Sequence, residues 1–166
     1  MYGFCRECPG SLQLDSGLFC IERATLQDLP AMVAMLRDDP IGAGRELADL
    51  TIYQQAFETI NRDPNQFLAV VRSDNGDLAG MMQLTLIPGL SRSAATRLLI
   101  ESVRIASAYR GSGLGTAMFK WAHECGRLNG ASLAQLTSDK TRADAHRFYL
   151  RLGYTASHEG FKKSLE

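Results

Sequence analysis

The pattern with the plainest chemistry is Arg110-Gly111-Ser112-Gly113-Leu114-Gly115-Thr116, set between a strand-like run and a strong helical period. Glycine adopts backbone angles closed to other residues and lets a ligand approach the chain closely. The first turn of a helix has N–H groups without intrahelical partners, and the helix dipole adds partial positive charge there. Together these form an anion cradle suited to phosphate, and Arg110 places a permanent positive charge at its lip. Two familiar phosphate loops fail on spacing. A Walker A loop needs Gly-Lys-Ser/Thr, but Gly115 is followed by Thr116 and Ala117. The dinucleotide fingerprint needs glycine where Thr116 stands, and it belongs on the first strand of its unit. The remaining alternative is a glycine-rich helix entry with no ligand.

Other candidate groups are sparser. Cys5-x-x-Cys8 has the spacing of half a zinc site, but no second Cys or His pair completes it, so no metal is expected. Cysteines 5, 8, 20 and 125 read as reduced thiols, with Cys125 a small core residue on an apolar helix stripe. His123 is expected on the solvent side of its helix, His146 lies one turn before Tyr149, and His158 falls near the C-terminus; isolated histidines of this kind favour plain structural roles. Trp121 belongs to the apolar stripe and reads as core.

The bulk numbers bound the answer. A chain of 166 residues with 45% hydrophobic content fits one ordinary globular domain. No run approaches the ~18 apolar residues needed to cross a bilayer, and no signal-peptide pattern opens the chain. The expectation is a cytoplasmic protein with no membrane partner. A formal net charge of zero argues against wholesale nucleic-acid binding. Residues 1–100 carry 12 acids and 8 bases, and residues 101–166 carry 6 acids and 10 bases, so an anionic ligand belongs more naturally with the latter.

The elements that must position these groups emerge from periodicity. Residues 1–17 read as an extension, either a loose arm or an added strand, before a domain spanning 18–166. A first strand covers residues 18–24. Thr25-Leu26-Gln27-Asp28 resembles a capping box with Asp in the Glu position, and Pro30 is tolerated in the first turn of the next helix. Leu29, Met32, Val33 and Leu36 form a helical stripe. A second helix is predicted over 45–61, strands over 67–72 and 78–86 around an Asn75-Gly76 turn, and a strand over 97–105. After the glycine turn, Leu114, Ala117, Met118, Trp121, Cys125 and Leu128 share a helix face. A strand over 132–137, a helix over 141–152 and a closing hairpin of 154–158 with 161–165 complete the order β-α-α-β-β-β-α-β-α-β-β. This is an α/β (α+β) fold with a central mixed, mostly antiparallel sheet flanked by helices.

Arg110-x-x-Gly113-x-Gly115 resembles the Gln/Arg-x-x-Gly-x-Gly/Ala signature of the GNAT superfamily of acyl-CoA-dependent N-acetyltransferases. Ile21-Glu-Arg-Ala-Thr-Leu-Gln-Asp28 is similar to the opening of these domains. Ala145-His-Arg-Phe-Tyr-Leu-Arg-Leu-Gly-Tyr154 is similar to their Ala-x-x-Phe-Tyr-x-x-x-Gly-Phe segment. The resemblance spans roughly residues 19–166 and implies acetyl-CoA as co-substrate. It places the pyrophosphate on the amides of Gly111, Ser112, Gly113, Leu114, Gly115 and Thr116, near Arg110. It runs the pantetheine arm beside residues 100–105, where the family splays two strands and leaves backbone groups of Val103 and Ile105 to pair with the cofactor. Many relatives carry Asn where this chain has Arg142, which either bridges a CoA phosphate or faces solvent.

Acetyl transfer to an amine needs a base for the ammonium, a donor for the oxyanion and a proton for the leaving thiolate. Glu101 is the candidate base. Strand alternation sets it with Leu99, Val103 and Ile105 on an apolar face, where burial would raise its pKa; it acts directly, acts through water, or simply pairs with a neighbouring basic residue. Tyr149 matches the family's tyrosine near the cofactor sulfur, as acid, as hydrogen-bond donor, or as a core aromatic. The Val103 amide is the implied oxyanion donor. No cysteine falls at the expected acetyl position, which favours direct attack in a ternary complex. The acceptor pocket is expected from residues 38–45, the second helix and the closing hairpin, with Asp38, Asp39 and Glu46 either attracting a cationic amine or remaining solvated. The acceptor is read as a small-molecule primary amine; the alternatives are a protein lysine or N-terminal amine, or an acyl-CoA-binding module without turnover. Folds of this kind commonly form homodimers, and nothing in the sequence fixes the oligomeric state.

Overall fold

The computed structural model describes residues 3–4, 8, 10–38, 44, 46–47 and 49–165. Strands β1 (Ser11–Leu14), β2 (Gly17–Arg23), β3 (Gln66–Ser73), β4 (Leu78–Pro88), β5 (Thr96–Ile105) and β6 (Ala131–Gln135) form one sheet in sequence order. Every pair is antiparallel except β5 with β6, which is parallel. Helices α1 (Leu29–Arg37), α2 (Thr51–Arg62), the single turn α3 (Ser91–Ala94), α4 (Leu114–Leu128) and α5 (Ala143–Arg151) complete the chain. Two compact units are present, one up to Gln135 and the other from Leu136 onward. The expected fold class is observed: a mixed, mostly antiparallel sheet with flanking helices.

Side chains alternate across a strand, and the two sheet faces differ. On one face Leu68, Val70 and Met81 form a core with Ala24, Leu29, Met32, Val33 of α1 and Phe57 of α2. The opposite face presents Met82, Leu84, Leu86, Leu98 and Ile100, all buried. It packs on α4: Leu98 abuts Gly126, and Phe67 meets Trp121 edge-on with ring centroids 5.8 Å apart. Burying each large apolar side chain contributes about 1.5–3 kcal/mol, so the stripe read along α4 anchors the helix whose first turn bears the glycines.

The capping box forms as predicted. Asp28, 6% exposed, accepts from the Thr25 amide at 2.8 Å, from the Thr25 hydroxyl at 2.9 Å, and from the Arg72 guanidinium. Arg72 also donates to Glu22 at 2.8 Å. Burial alone would raise the Asp28 carboxyl, but the Thr25 and Arg72 hydrogen bonds and the Arg72 charge hold it below the usual carboxylate range. A depressed folded-state pKa means that its stabilisation is complete above the unfolded value of about 3.9 and is lost as pH falls through the folded value. Asp28→Asn is expected to cost about 2 kcal/mol at neutral pH. In urea unfolding the gap between the two proteins should close as pH drops from about 5 to about 2.

Four expectations are corrected. The second helix begins at Thr51, not near residue 45, because the Asp49 carboxylate accepts from the Thr51 amide at 2.9 Å in a local turn that stops the helix from extending backward. The closing hairpin is absent among the described residues: 155–165 contain no strand, and Phe161 and Leu165 are 92% and 94% exposed. Phe161 and Leu165 are the only large apolar residues of 155–165, too few to bury one face of a strand pair. The cysteines are not all reduced. Cys8 and Cys125 form a disulfide across 117 positions with Cα atoms 5.0 Å apart, Cys20 is free and exposed, and Cys5 lies outside the described residues. Cys125 is nevertheless fully buried on its stripe. His123 is half-buried rather than solvent-facing, stacks edge-on against Phe119 and lines a cavity of about 210 Å³ with Leu98 and Gly126; burial pushes its imidazole pKa down.

Candidate active site

The glycine turn is built by a short sequence of local constraints. A 3-10 turn at Ser107–Tyr109 ends β5, and Arg110 leaves it extended, with φ −68° and ψ 145°. Gly111 and Gly113 then take φ of 78° and 86°, the left-handed region in which a Cβ is costly. Gly113 is the N-cap of α4, and its carbonyl accepts the first intrahelical bond, from Ala117, at 3.1 Å. The Ser112 hydroxyl donates to the Tyr109 carbonyl at 2.7 Å and receives the Leu114 amide at a long 3.4 Å. No acidic side chain occupies the first turn of α4. A Cβ built at Gly111 or Gly113 meets nothing within 4 Å, so the turn is open on its outer side. An exposed helix mouth with an open approach fits a pyrophosphate.

Arg110 does not stand at the lip as a bare cation. Its Nε donates to the Ile105 carbonyl at 3.1 Å, and Nη2 pairs with the Asp38 carboxylate at 2.7 Å and with the Asp38 carbonyl at 3.3 Å. Asp38 is thereby engaged with the glycine turn rather than poised for an amine. Glu46 is likewise committed, accepting from the Tyr53 hydroxyl at 2.7 Å, and Asp39 lies outside the described residues. Asp38 and Glu46 therefore have partners other than an acceptor amine.

Strand β5 supplies the second part. Its pairing with β6 ends at Leu99 opposite Gln135, the last residue of β6, while β5 runs on to Ile105. The backbone groups of Val103 and Ile105 therefore have no partner on β6. The freed carbonyls are not bare: Val103 accepts from Arg104 at 2.9 Å and Ile105 from Arg110 at 3.1 Å. These arginines satisfy groups that would otherwise be poorly solvated.

Against β4 the same strand bulges. Gln83 faces Glu101 and Met81 faces Arg104, so Ser102 and Val103 together oppose Met82, and Ser102 takes φ 52°. A bulge inserts residues into one strand and re-aims the side chains beyond it. Glu101 keeps the face of Leu99, as expected. Ile105 pairs with Gly80 and moves to the α4 face, so the apolar surround expected for Glu101 does not exist. Glu101 is exposed, with polar neighbours: Gln83 donates to the Gln66 side chain at 3.1 Å, and Thr85 donates to the same oxygen at 2.8 Å. This polar row escaped sequence reasoning, because cross-strand register decides it.

Tyr149 belongs to the second unit. It projects from α5 with its ring 5.6 Å from Phe148 and 6.1 Å from Tyr154. Burial, together with the nearby Tyr149, pushes the Tyr154 phenol pKa well up. The His146 ring bonds the Asp139 carbonyl at 2.8 Å, which gives it the plain structural role expected. Arg142 is the exposed N-cap of α5.

Among the described residues no group of three His, Cys, Asp or Glu is arranged to hold a metal, and no helix is long and apolar enough to cross a membrane. A model of the acetyltransferase (GNAT) family matches residues 29–154. The chain is 30% identical over 145 residues to an aminoalkylphosphonate N-acetyltransferase of Salmonella typhimurium, covering 87% of this chain and 90% of that one. It is 29% identical over 130 residues to a streptothricin acetyltransferase of Streptomyces lavendulae, covering 78% of this chain and 61% of that one. The crystal structure of a transcriptional regulator from Bacillus halodurans C-125 superposes with a TM-score of 0.84 at 42% identity, over 89% of this chain and 99% of that one. With the family model reaching from α1 through the glycine turn to the Tyr149 helix, this chain belongs to the GNAT family of acetyltransferases.

Proposed function

We propose that the enzyme moves an acetyl group from acetyl-CoA to the primary amine of a small molecule, by direct attack while both substrates are bound. The observation that carries this reading is the open helix mouth at residues 111–116, reached from the stretch of β5 that runs beyond its last pairing with β6. The amides of Gly111, Ser112, Gly113, Leu114, Gly115 and Thr116 hold the pyrophosphate, and Arg110 joins them. The arm runs along residues 100–105, where Val103 and Ile105 meet it, and the Val103 amide faces the developing oxyanion. Glu101 takes the ammonium proton, directly or through water, and Tyr149 supplies a proton to the leaving thiolate. Cys125 is locked in its disulfide and offers no nucleophile for an acetyl-enzyme. The Salmonella and Streptomyces relatives are acetyltransferases whose names specify small amines, which supports a small acceptor over a protein.

The direct test is CoA release from acetyl-CoA over a panel of amino acids, aminophosphonates, polyamines, amino sugars, aminoglycosides and peptides. Release with small amines and none with peptides is the expected result; release with none overturns turnover altogether. Glu101→Gln is expected to lower kcat/KM at neutral pH by about 100-fold and to abolish the acidic limb of the pH–rate profile. An unchanged profile would remove Glu101 as base.

A further inference from the structure

The face that bears Glu101 carries a second, opposite charge. Arg97 and Leu99 precede Glu101 on β5 at alternate positions, so all three project to one side. This is the side of Gln83 and Thr85, away from α4. The α1 and α2 helices pack on the Leu68, Val70 and Met81 part of it. The end holding Gln66, Thr85, Leu99 and Arg97 is half-buried, and none of these four belongs to the apolar cluster that α1 and α2 form.

Arg97 and Glu101 do not neutralise each other. Four strand residues separate their Cα atoms by about 13 Å. Neither forms an ion pair among the described residues; the one bond of Arg97 is a long 3.5 Å contact from Nη1 to the Gln135 side chain. Gln135 lies beside Leu99 on β6, so the Arg97 guanidinium leans along the strand toward Glu101. The two charges then bracket a floor of Leu99, Thr85 and Gln83, roughly 7 Å long by the strand repeat. A half-buried guanidinium with a single neutral partner is poorly compensated and gains most from a planar or tetrahedral anion. At the other end, Glu101 sits just beyond the last pairing of β5 with β6, at Leu99.

We infer that the acceptor is an amphoteric small molecule, with its amine at Glu101 and an anionic group, carboxylate or phosphonate, held by Arg97. The amine end lies toward the stretch of β5 beyond its pairing with β6, and the anionic end lies away from it. The polar floor, with Gln66 fixing the Gln83 and Thr85 side chains, hydrogen-bonds the short linker between the two ends. This assignment rests on the proposed N-acetyltransferase activity.

The test compares 2-aminoethylphosphonate and β-alanine with ethanolamine and ethylamine as acceptors, by CoA release, in the native enzyme, Arg97→Gln and Arg97→Lys. The native enzyme is expected to prefer the anionic acceptors by about 10-fold or more. Arg97→Gln should raise KM for the anionic acceptors by about 10–100-fold. It should leave the neutral-tailed amines and the KM for acetyl-CoA unchanged, and Arg97→Lys should recover part of the loss. Equal use of ethylamine, or an Arg97→Gln defect that falls on every acceptor alike, overturns the amphoteric acceptor and leaves the acetyltransferase standing. CoA release with none of the four acceptors, alongside release with other amines in the wider panel, also overturns it; no release with any amine overturns both readings.

Discussion

Tyr149→Phe is expected to lower kcat by about 100-fold while KM for acetyl-CoA stays within about twofold. The substitution removes one oxygen. The ring remains, and with it the edge contacts to Phe148 and Tyr154 at 5.6 and 6.1 Å that hold this part of α5. Fold and donor binding are therefore preserved, and a kinetic loss reports on the phenol itself. General-acid assistance contributes typically 10²–10⁴-fold, so 100-fold is the modest end of the range. Steady-state kinetics with saturating acceptor gives the answer, and a pH–rate profile adds to it: the alkaline limb should move or vanish with the phenol. Undiminished kcat would leave Tyr149 as a packing residue.

The second large effect concerns the donor. Gly113→Val is expected to weaken acetyl-CoA binding by about 30-fold or more, read by calorimetry. Gly113 has φ 86° and ψ −6° at the N-cap of α4, and Gly111 before it has φ 78°. A β-branched residue at positive φ is a true outlier, costing about 1–3 kcal/mol. No neighbour lies within 4 Å of the added Cβ, so backbone conformation sets the main cost. The chain relieves it by rotating the peptides around residue 113, which turns their amides away from a common focus. Gly113→Ala should fall between the two, since alanine is strained less than valine. Native affinity in the valine variant would remove this turn from the donor site.

Local signals were legible and distant ones were not. The glycine turn, the Thr25 and Asp28 box and the α4 stripe each depend on neighbours within one or two helical turns, so residue types alone expose them. The Asn75-Gly76 turn between β3 and β4 belongs to the same class. The pairing of Arg110 with Asp38 spans 72 positions, and the bond between Cys8 and Cys125 spans 117. Neither leaves a mark on the intervening sequence. The bulge at Ser102 is hidden for another reason: Ser carries no preference for positive φ, and the distortion arises only when β4 and β5 are laid in register. That one displacement moved Ile105 across the sheet and left Glu101 among polar neighbours. The closing hairpin fails because a glycine between two short runs looks like a turn even where the runs have too few apolar side chains to bury. Arg97 and the Gln66, Gln83 and Thr85 row went unnoticed because a side chain on one strand gains meaning from the residues standing opposite it.

The unlike faces of the sheet have an evolutionary consequence. Met82, Leu84 and Ile100 are buried on the α4 side, where altering a single methylene is felt at once. Gln83, Thr85, Leu99 and Arg97 are half wet on the other side, where exchanges leave no void and cost little. If Arg97 and Glu101 hold the acceptor as proposed, lineages descended from this scaffold can change diet by drift on one surface while the packing of the other stays fixed.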